Sequence, residues 1–153
     1  MIFLDNQLLG DLFFSPAQPL AGADLDDETL LQFACEEFPE KEFCIVRRWM
    51  LIDVILSDDE DRQVRSSGLR PTVIYAQAVT TKAGTKAEAA HGKLSGFQLR
   101  FEGCFFETQD MLYILAGRGS RKFASKPTVF ALADLCGSGL WNTYENRPVN
   151  NPA

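Results

Sequence analysis

Leu30, Ala34 and Phe38 recur every four residues with Leu31 and Cys35 beside them, the stripe of a helix that buries one side. Asp24 to Asp27 supply capping and first-turn carboxylates, and Pro39 ends the pattern. The polar side of this helix is acidic, with Asp27, Glu28, Glu36 and Glu37. Ahead of it, Met1 to Gly22 holds only short apolar clusters (Ile2 to Leu4, Leu8 and Leu9, Leu12 to Phe14) broken by Pro16 and Pro19. That segment is expected to wrap the core without a long regular element. In Cys44 to Leu56 the residues Val46, Met50, Ile52, Val54 and Leu56 share one parity, which predicts a strand with Arg47 and Asp53 on its other face. Ser57-x-x-Glu60 then forms a capping box, and Asp58 to Asp61 crowd a first turn, where carboxylates meet the positive end of the helix dipole. A short helix to Ser66 or Ser67 follows, with Gly68 as its left-handed terminator, Leu69 as the apolar partner and Pro71 as a stop.

Thr72 to Thr80 is rich in β-branched and aromatic residues and predicts a second strand. Thr81 to Gly96 is small, polar and basic, and reads as a long surface loop. Phe97, Leu99 and Phe101 alternate with Gln98, Arg100 and Glu102, and after the polar run Glu107 to Asp110 a second apolar run spans Met111 to Ala116, so a hairpin is predicted. Gly103 is expected to form a bulge that turns Cys104 and Phe106 inward and leaves Phe105 on the opposite face. A register with Glu107 opposite Met111 would set Phe105 opposite Tyr113. Gly117-Arg118-Gly119 reads as a turn, after which Ser125 caps a helix with Pro127 in its first turn and Val129, Leu132, Ala133 and Cys136 on its buried side, up to Gly137. The order helix, strand, helix, strand, loop, strand, strand, helix predicts a single α+β domain over residues 1–145. Its sheet would have about four strands, largely antiparallel or mixed, with the helices packed on one face. Residues 146–153, rich in Asn and Pro, read as a disordered tail.

Charge changes this picture more than composition does. The formal net charge is −6, but Met1 to Asp61 holds fifteen Asp and Glu against three Lys and Arg, while the remainder holds six against twelve. Two readings of this bias stand side by side: carboxylates at helix N-termini and on solvated faces, or an acidic surface that meets a basic partner such as a nuclease, a toxin or a nucleic-acid-handling complex. Cys35, Cys44, Cys104 and Cys136 include no C-x-x-C pair, which argues against a zinc ribbon or a thioredoxin-type site and for buried free thiols in a reducing cytoplasm. The first residues lack the basic flank of a secretion signal, and no apolar run reaches the length of a membrane span.

Three segments carry a family resemblance. They are Trp49 to Leu56 with the acidic helix after it, Gly68-Leu69-Arg70-Pro71-Thr72-Val73-Ile74-Tyr75-Ala76, and Gly103-Cys104-Phe105-Phe106-Glu107-Thr108 through Tyr113-Ile114-Leu115 to Gly117, Gly119, Arg121 and Lys122. Over roughly Val46 to Leu132 the chain resembles a family of small bacterial proteins, mostly of pseudomonads and their phages or mobile elements, known only as a domain of unknown function. The resemblance implies a setting, that of immunity proteins, inhibitors and counter-defence factors, and no catalytic residue or cofactor. It leaves the acidic first segment and the C-terminal tail outside.

Three functions follow as expectations. The first is a non-enzymatic binding module, an immunity or inhibitor protein that neutralises a toxin, nuclease or defence component of basic surface through Asp26, Asp27, Glu28, Glu36, Glu37, Glu40 and Glu42. Trp49 or Trp141 would serve it as an apolar anchor if exposed. The second is a nucleotide or nucleic-acid binder in which Gly117 to Lys122 forms an anion nest with Arg118, Arg121 and Lys122, although the chain lacks Walker spacing and its net acidity opposes phosphate contacts. The third is a hydrolase pairing Cys104 with His91, the only histidine. No metal site and no cofactor is expected.

Overall fold

The computed structural model describes residues 2–87 and 91–137, apart from the side chains of residues 2–5 and 87. Helix α1 (Ile2–Phe14) and strand β1 (Gln18–Ala21) lead into α2 (Asp27–Glu37), the long strand β2 (Phe43–Ile55), α3 (Asp58–Ser66) and β3 (Thr72–Thr81). The short strands β4 (Lys86–Ala87), β5 (Lys93–Leu94), β6 (Arg100–Glu102), β7 (Phe105–Glu107) and β8 (Leu112–Leu115) follow, then β9 (Arg118–Ser125) and α4 (Lys126–Cys136). The fold is mixed α+β, as the pattern predicts, with nine strands among the described residues where about four were expected. The expected tail and Trp141 lie outside the described residues.

Local signals set the helix ends. Ser57 and Glu60 close the predicted capping box on α3, and beyond it Leu69 N–H donates to the Val64 carbonyl (3.2 Å), the bond that terminates a helix through a left-handed Gly68. Ser125 caps α4, with Pro127 in the first turn and Gly137 at its end. Helix α1 is a correction to the wrapping segment expected over Met1 to Gly22. Among its described side chains Leu12 is the one apolar group fully buried, with Leu8, Leu9 and Phe13 partly so. The contacts that hold it are tertiary: it packs on α4, and the Lys122 ammonium donates to the Leu12 carbonyl and to the Ser15 carbonyl (2.6 Å), satisfying acceptors that the helix end leaves open.

Strand β2 is the spine of the sheet. One edge pairs with β3, antiparallel; the other takes β8 and then β9, both parallel. Between those two partners β2 changes face. Arg48 adopts a left-handed backbone (φ 51°), and Cys44 and Val46 before it lie in the same cluster as Trp49 and Leu51 after it. Val46 therefore does not share a face with Met50, Ile52 and Val54, as simple alternation predicts. A non-glycine residue in this region costs of order 1 kcal/mol, so the surrounding pairings must impose it.

Three apolar clusters result. Met50, Ile52, Val54, Val73 and Tyr75 pack under α1 and α4, through Leu12, Val129, Leu132 and Ala133. Phe43, Ile45, Leu112 and Ile114 pack under α2, through Leu30 and Ala34. The third cluster, with Val46, Trp49, Leu51, Ile74, Phe106, Tyr113 and Leu115, is built from strands alone, because the sheet curls over itself. Helices thus meet the sheet in two separate clusters.

The expected long loop returns along β3, which pairs with both β4 and β5. The hairpin forms with a different register: Glu107 faces Leu112, so Phe105 lies opposite Ile114 and Phe106 opposite Tyr113. Gly103 is not a bulge. It holds φ 61° in the two-residue turn between β6 and β7, where Glu102 pairs with Phe105, a position of a tight hairpin that favours glycine. Just ahead of β6, Leu99 is exposed and Gln98, bridged to Arg70, is buried, so the predicted alternation fails at these two positions, while Phe97 and Phe101 are partly buried and Arg100 and Glu102 exposed as it predicts. Gly117 to Lys122 is likewise no turn: from Arg118 onward it is strand β9, between β1 and β2. Gly119 is required there because the Trp49 ring lies across it, and a Cβ would come within 2.2 Å of the indole.

Candidate functional site

Helix α2 divides the predicted acidic set in two. At its N-terminus Asp26 is the cap, accepting from Thr29 N–H (2.8 Å). Hydrogen bonds from Thr29 hold its carboxyl below the usual range. Asp27 accepts from Arg47 Nε (2.8 Å) and from Thr80 Oγ1 (2.8 Å), while Arg47 Nη2 donates to the Leu25 carbonyl (2.8 Å). Burial pushes the Asp27 carboxyl up, but the bonds from Thr80 and Arg47, with the charges of Arg47 and Lys86, outweigh it and hold the group below the usual range. Asp27 therefore ties the start of α2 to β2 and β3. A cleft of about 570 Å³ opens beside it, lined by Asp26, Asp27 and Glu28 together with Arg47, Arg48 and Lys86. Its charges are of both signs, with Asp27 and Arg47 paired, so it presents no strong field of one sign.

The other end of α2 differs. Glu36 and Glu37 stand in its last turn and Glu40 and Glu42 in the connection to β2; all four are exposed. Their carboxylates make no hydrogen bond or ion pair with any described residue. No basic residue occupies the last turn of α2, so Glu36 and Glu37 sit against the negative end of the helix dipole, where a carboxylate is destabilising. The nearby cations serve the fold: Lys41 pairs with Glu107 (2.7 Å), and Lys82 donates to the carbonyls of Pro39 (3.0 Å) and Lys41 (2.8 Å). An excess of negative charge remains.

Beside these glutamates lies an aromatic group that the sequence reading passed over. Phe33 of α2, Phe38 at its C-cap and Phe105 of β7 bring their rings together: Phe33 stacks on Phe105 (centroids 6.3 Å, planes at 21°), and Phe38 meets Phe105 edge-on (5.4 Å). Phe33 is 44% exposed. Its signal in the sequence was an aromatic off the buried Leu30, Ala34, Phe38 stripe, one helical turn before Glu36 and Glu37. Phe105 lies on the face opposite Phe106, as expected, but Tyr113 is buried in the strand-built cluster. Trp49 is buried too, its indole N–H donating to the Ala116 carbonyl (3.1 Å), so it offers no exposed anchor.

The basic residues of the predicted anion nest do not converge. Arg118 is exposed at the start of β9. Arg121 forms a two-pronged pair with Asp53 (2.7 and 2.8 Å), which also accepts from Thr72 (2.8 Å). Burial pushes the Asp53 carboxyl up, and the bonds from Arg121 and Thr72 more than reverse this. Lys122 is buried at the end of α1, and burial pulls its ammonium down. Nor do His91 and Cys104 share a site. The His91 carbonyl accepts from the Tyr75 hydroxyl (2.8 Å) and the Cys136 thiol (3.4 Å), whereas Cys104 borders the strand-built cluster and the α2 cluster. Burial pushes the Cys104 thiol up, away from thiolate character. All four cysteines are free thiols; Cys44 is buried, with its thiol pushed up to about 11, but Cys35 is exposed, contrary to the expectation of four buried thiols.

Among the described residues, no group of three or more His, Cys, Asp or Glu is placed to hold a metal ion, and no helix is long and apolar enough to cross a membrane. A family model described as a domain of unknown function (DUF6957) matches residues 21–131. The match begins ahead of α2, so the acidic segment falls inside it, where the resemblance read from the sequence began only at Val46. No curated protein and no solved structure matches the chain.

Proposed function

We propose, from the premise that the chain belongs to the DUF6957 family, that it is a non-enzymatic cytoplasmic binding module. It neutralises a protein of basic surface, as an immunity or inhibitor protein does. One observation carries this reading: Glu36, Glu37, Glu40 and Glu42 are exposed, unpaired among the described residues and, at the helix end, set against the dipole. A carboxylate that the helix dipole disfavours and that bonds to no described residue is available to a partner. Fields of this kind accelerate encounter with a cationic partner and suppress encounter with anionic ones, which also disfavours nucleic acid. The raised Cys104 thiol and its separation from His91 weigh against the hydrolase alternative.

The acidic interface thereby narrows from seven residues to four. Asp26 and Asp27 already have structural work, and Glu28 lies at their end of α2. The test is to purify the tagged chain with proteins encoded beside its gene and to measure the affinity of any partner. The charge-reversed variant Glu36→Lys, Glu37→Lys, Glu40→Lys, Glu42→Lys is expected to lose binding, and the wild-type association rate to fall as salt rises. A partner whose binding ignores both changes refutes the acidic surface.

A further inference from the structure

We propose that the stacked pair Phe33 and Phe105, with Phe38 behind it, is the seat for an arginine side chain of the partner. The inference rests on the acidic-surface reading and supplies the anchor that reading lacks. Charge alone steers association and gives little residence time; hot spots are aromatic or aliphatic seats where water is excluded. The three rings come from α2, the α2–β2 connection and β7, so they are held by separate elements of the fold. Phe105 and Phe38 pack edge-on (5.4 Å) and Phe33 closes over Phe105 at 21°, which fixes the ring planes while 44% of Phe33 still meets solvent.

The charges next to this group select its occupant. Glu36 and Glu37 follow Phe33 by three and four residues, one turn along the same helix surface. Lys41 and Lys82 are engaged by Glu107 and by the backbone of the α2–β2 connection, which leaves these glutamates for an incoming cation. A purely apolar side chain would cover the rings and leave the carboxylates unsatisfied. A guanidinium answers both features: its flat, weakly hydrated face stacks on an aromatic ring while its edge forks onto a carboxylate. An ammonium is a strongly hydrated point charge and fits the carboxylates but not the ring face.

The experiment titrates the full chain with two fluorescent peptides of the same Gly/Leu background, one carrying three arginines and the other three lysines at the same positions. The arginine peptide is expected to bind about 3- to 10-fold more tightly, the range of one partly desolvated cation–π contact. Phe33→Ala and Phe33→Leu should both reduce it to the level of the lysine peptide; the leucine variant keeps apolar area without a π face, and circular dichroism confirms that both are folded. Glu36→Gln with Glu37→Gln should weaken both peptides alike. Equal binding of the two peptides, or an arginine preference that survives in Phe33→Leu, overturns the arginine seat. If the glutamate dependence persists in that case, the acidic surface stands without it. Failure of both peptides to respond to the glutamate changes removes the acidic surface at this corner as well.

Discussion

The two ends of α2 carry carboxylates in comparable number, and they are opposite in character. At the N-terminal end the dipole favours them, Asp26 caps the helix, and Asp27 bonds to both Arg47 and Thr80. At the C-terminal end the dipole opposes Glu36 and Glu37, no lysine or arginine shares the last turn, and the rings of Phe33, Phe38 and Phe105 lie alongside. The charge is the same at the two ends. What differs is whether the fold uses the charge, and this separates a structural carboxylate from one available to a partner.

Four measurements press on that difference. The largest effect is expected from Asp27→Ala, which takes the carboxylate from a part-buried guanidinium and a hydroxyl at once; urea unfolding should show a loss of about 2 kcal/mol. An equal loss in Glu37→Ala would erase the distinction between the ends. The acid limb of stability comes next. Asp27 and Asp53 both have folded pKa values below the ordinary 3.8, so the stability they add is full above that value and disappears as pH falls through the lower folded values. Asp27→Asn should therefore be less stable than wild type at neutral pH and lose stability less steeply below about pH 4. A variant whose acid limb parallels that of the wild type would show that Asp27 is not held in the ion pair.

Smaller effects follow. Asp26→Ala should lower stability by less than Asp27→Ala, since it removes one exposed cap bond and leaves no guanidinium unpaired, and Asp26→Asn, which keeps the acceptor, should restore most of the loss. The smallest and most telling change is Glu36→Gln with Glu37→Gln. Relief of the unfavourable dipole contact should stabilise the protein by roughly 0.5 kcal/mol in low salt, fading at high salt. A double variant that is destabilised instead would mean that these glutamates hold the fold together, and the argument for a partner would fall.

Legibility in the sequence followed the range of the interactions. The capping box of α3, the Ser125 cap of α4 and the glycines that end both helices depend on residues within a few positions of one another, and these were read at their places. Strand β9 was hidden because Gly117 and Gly119 look like turn residues. Gly119 is instead a strand residue without a side chain, to admit the ring of Trp49, seventy positions earlier. Helix α1 was hidden for a similar reason: the partners that stabilise it, α4 and Lys122, lie more than a hundred residues away. The candidate site was half legible. Its four glutamates were named from charge, but the aromatic group joins Phe33 and Phe38 to a strand residue far along the chain, and no local periodicity joins them.

By itself, the sequence determined the mixed α+β class, most helix boundaries and the acidic bias of the first half, because hydrophobic period, capping and net charge are sums over neighbouring residues. Only the tertiary structure decided which carboxylates are occupied. Asp27 and Glu37 stand on the same helix with the same charge, and it is the arrival of Arg47 and Thr80 that gives Asp27 its bonds, while the Glu37 carboxylate has none among the described residues. Such pairings require the chain to close loops of tens of residues before any bond can form, and they are absent from any stretch short enough to be read alone.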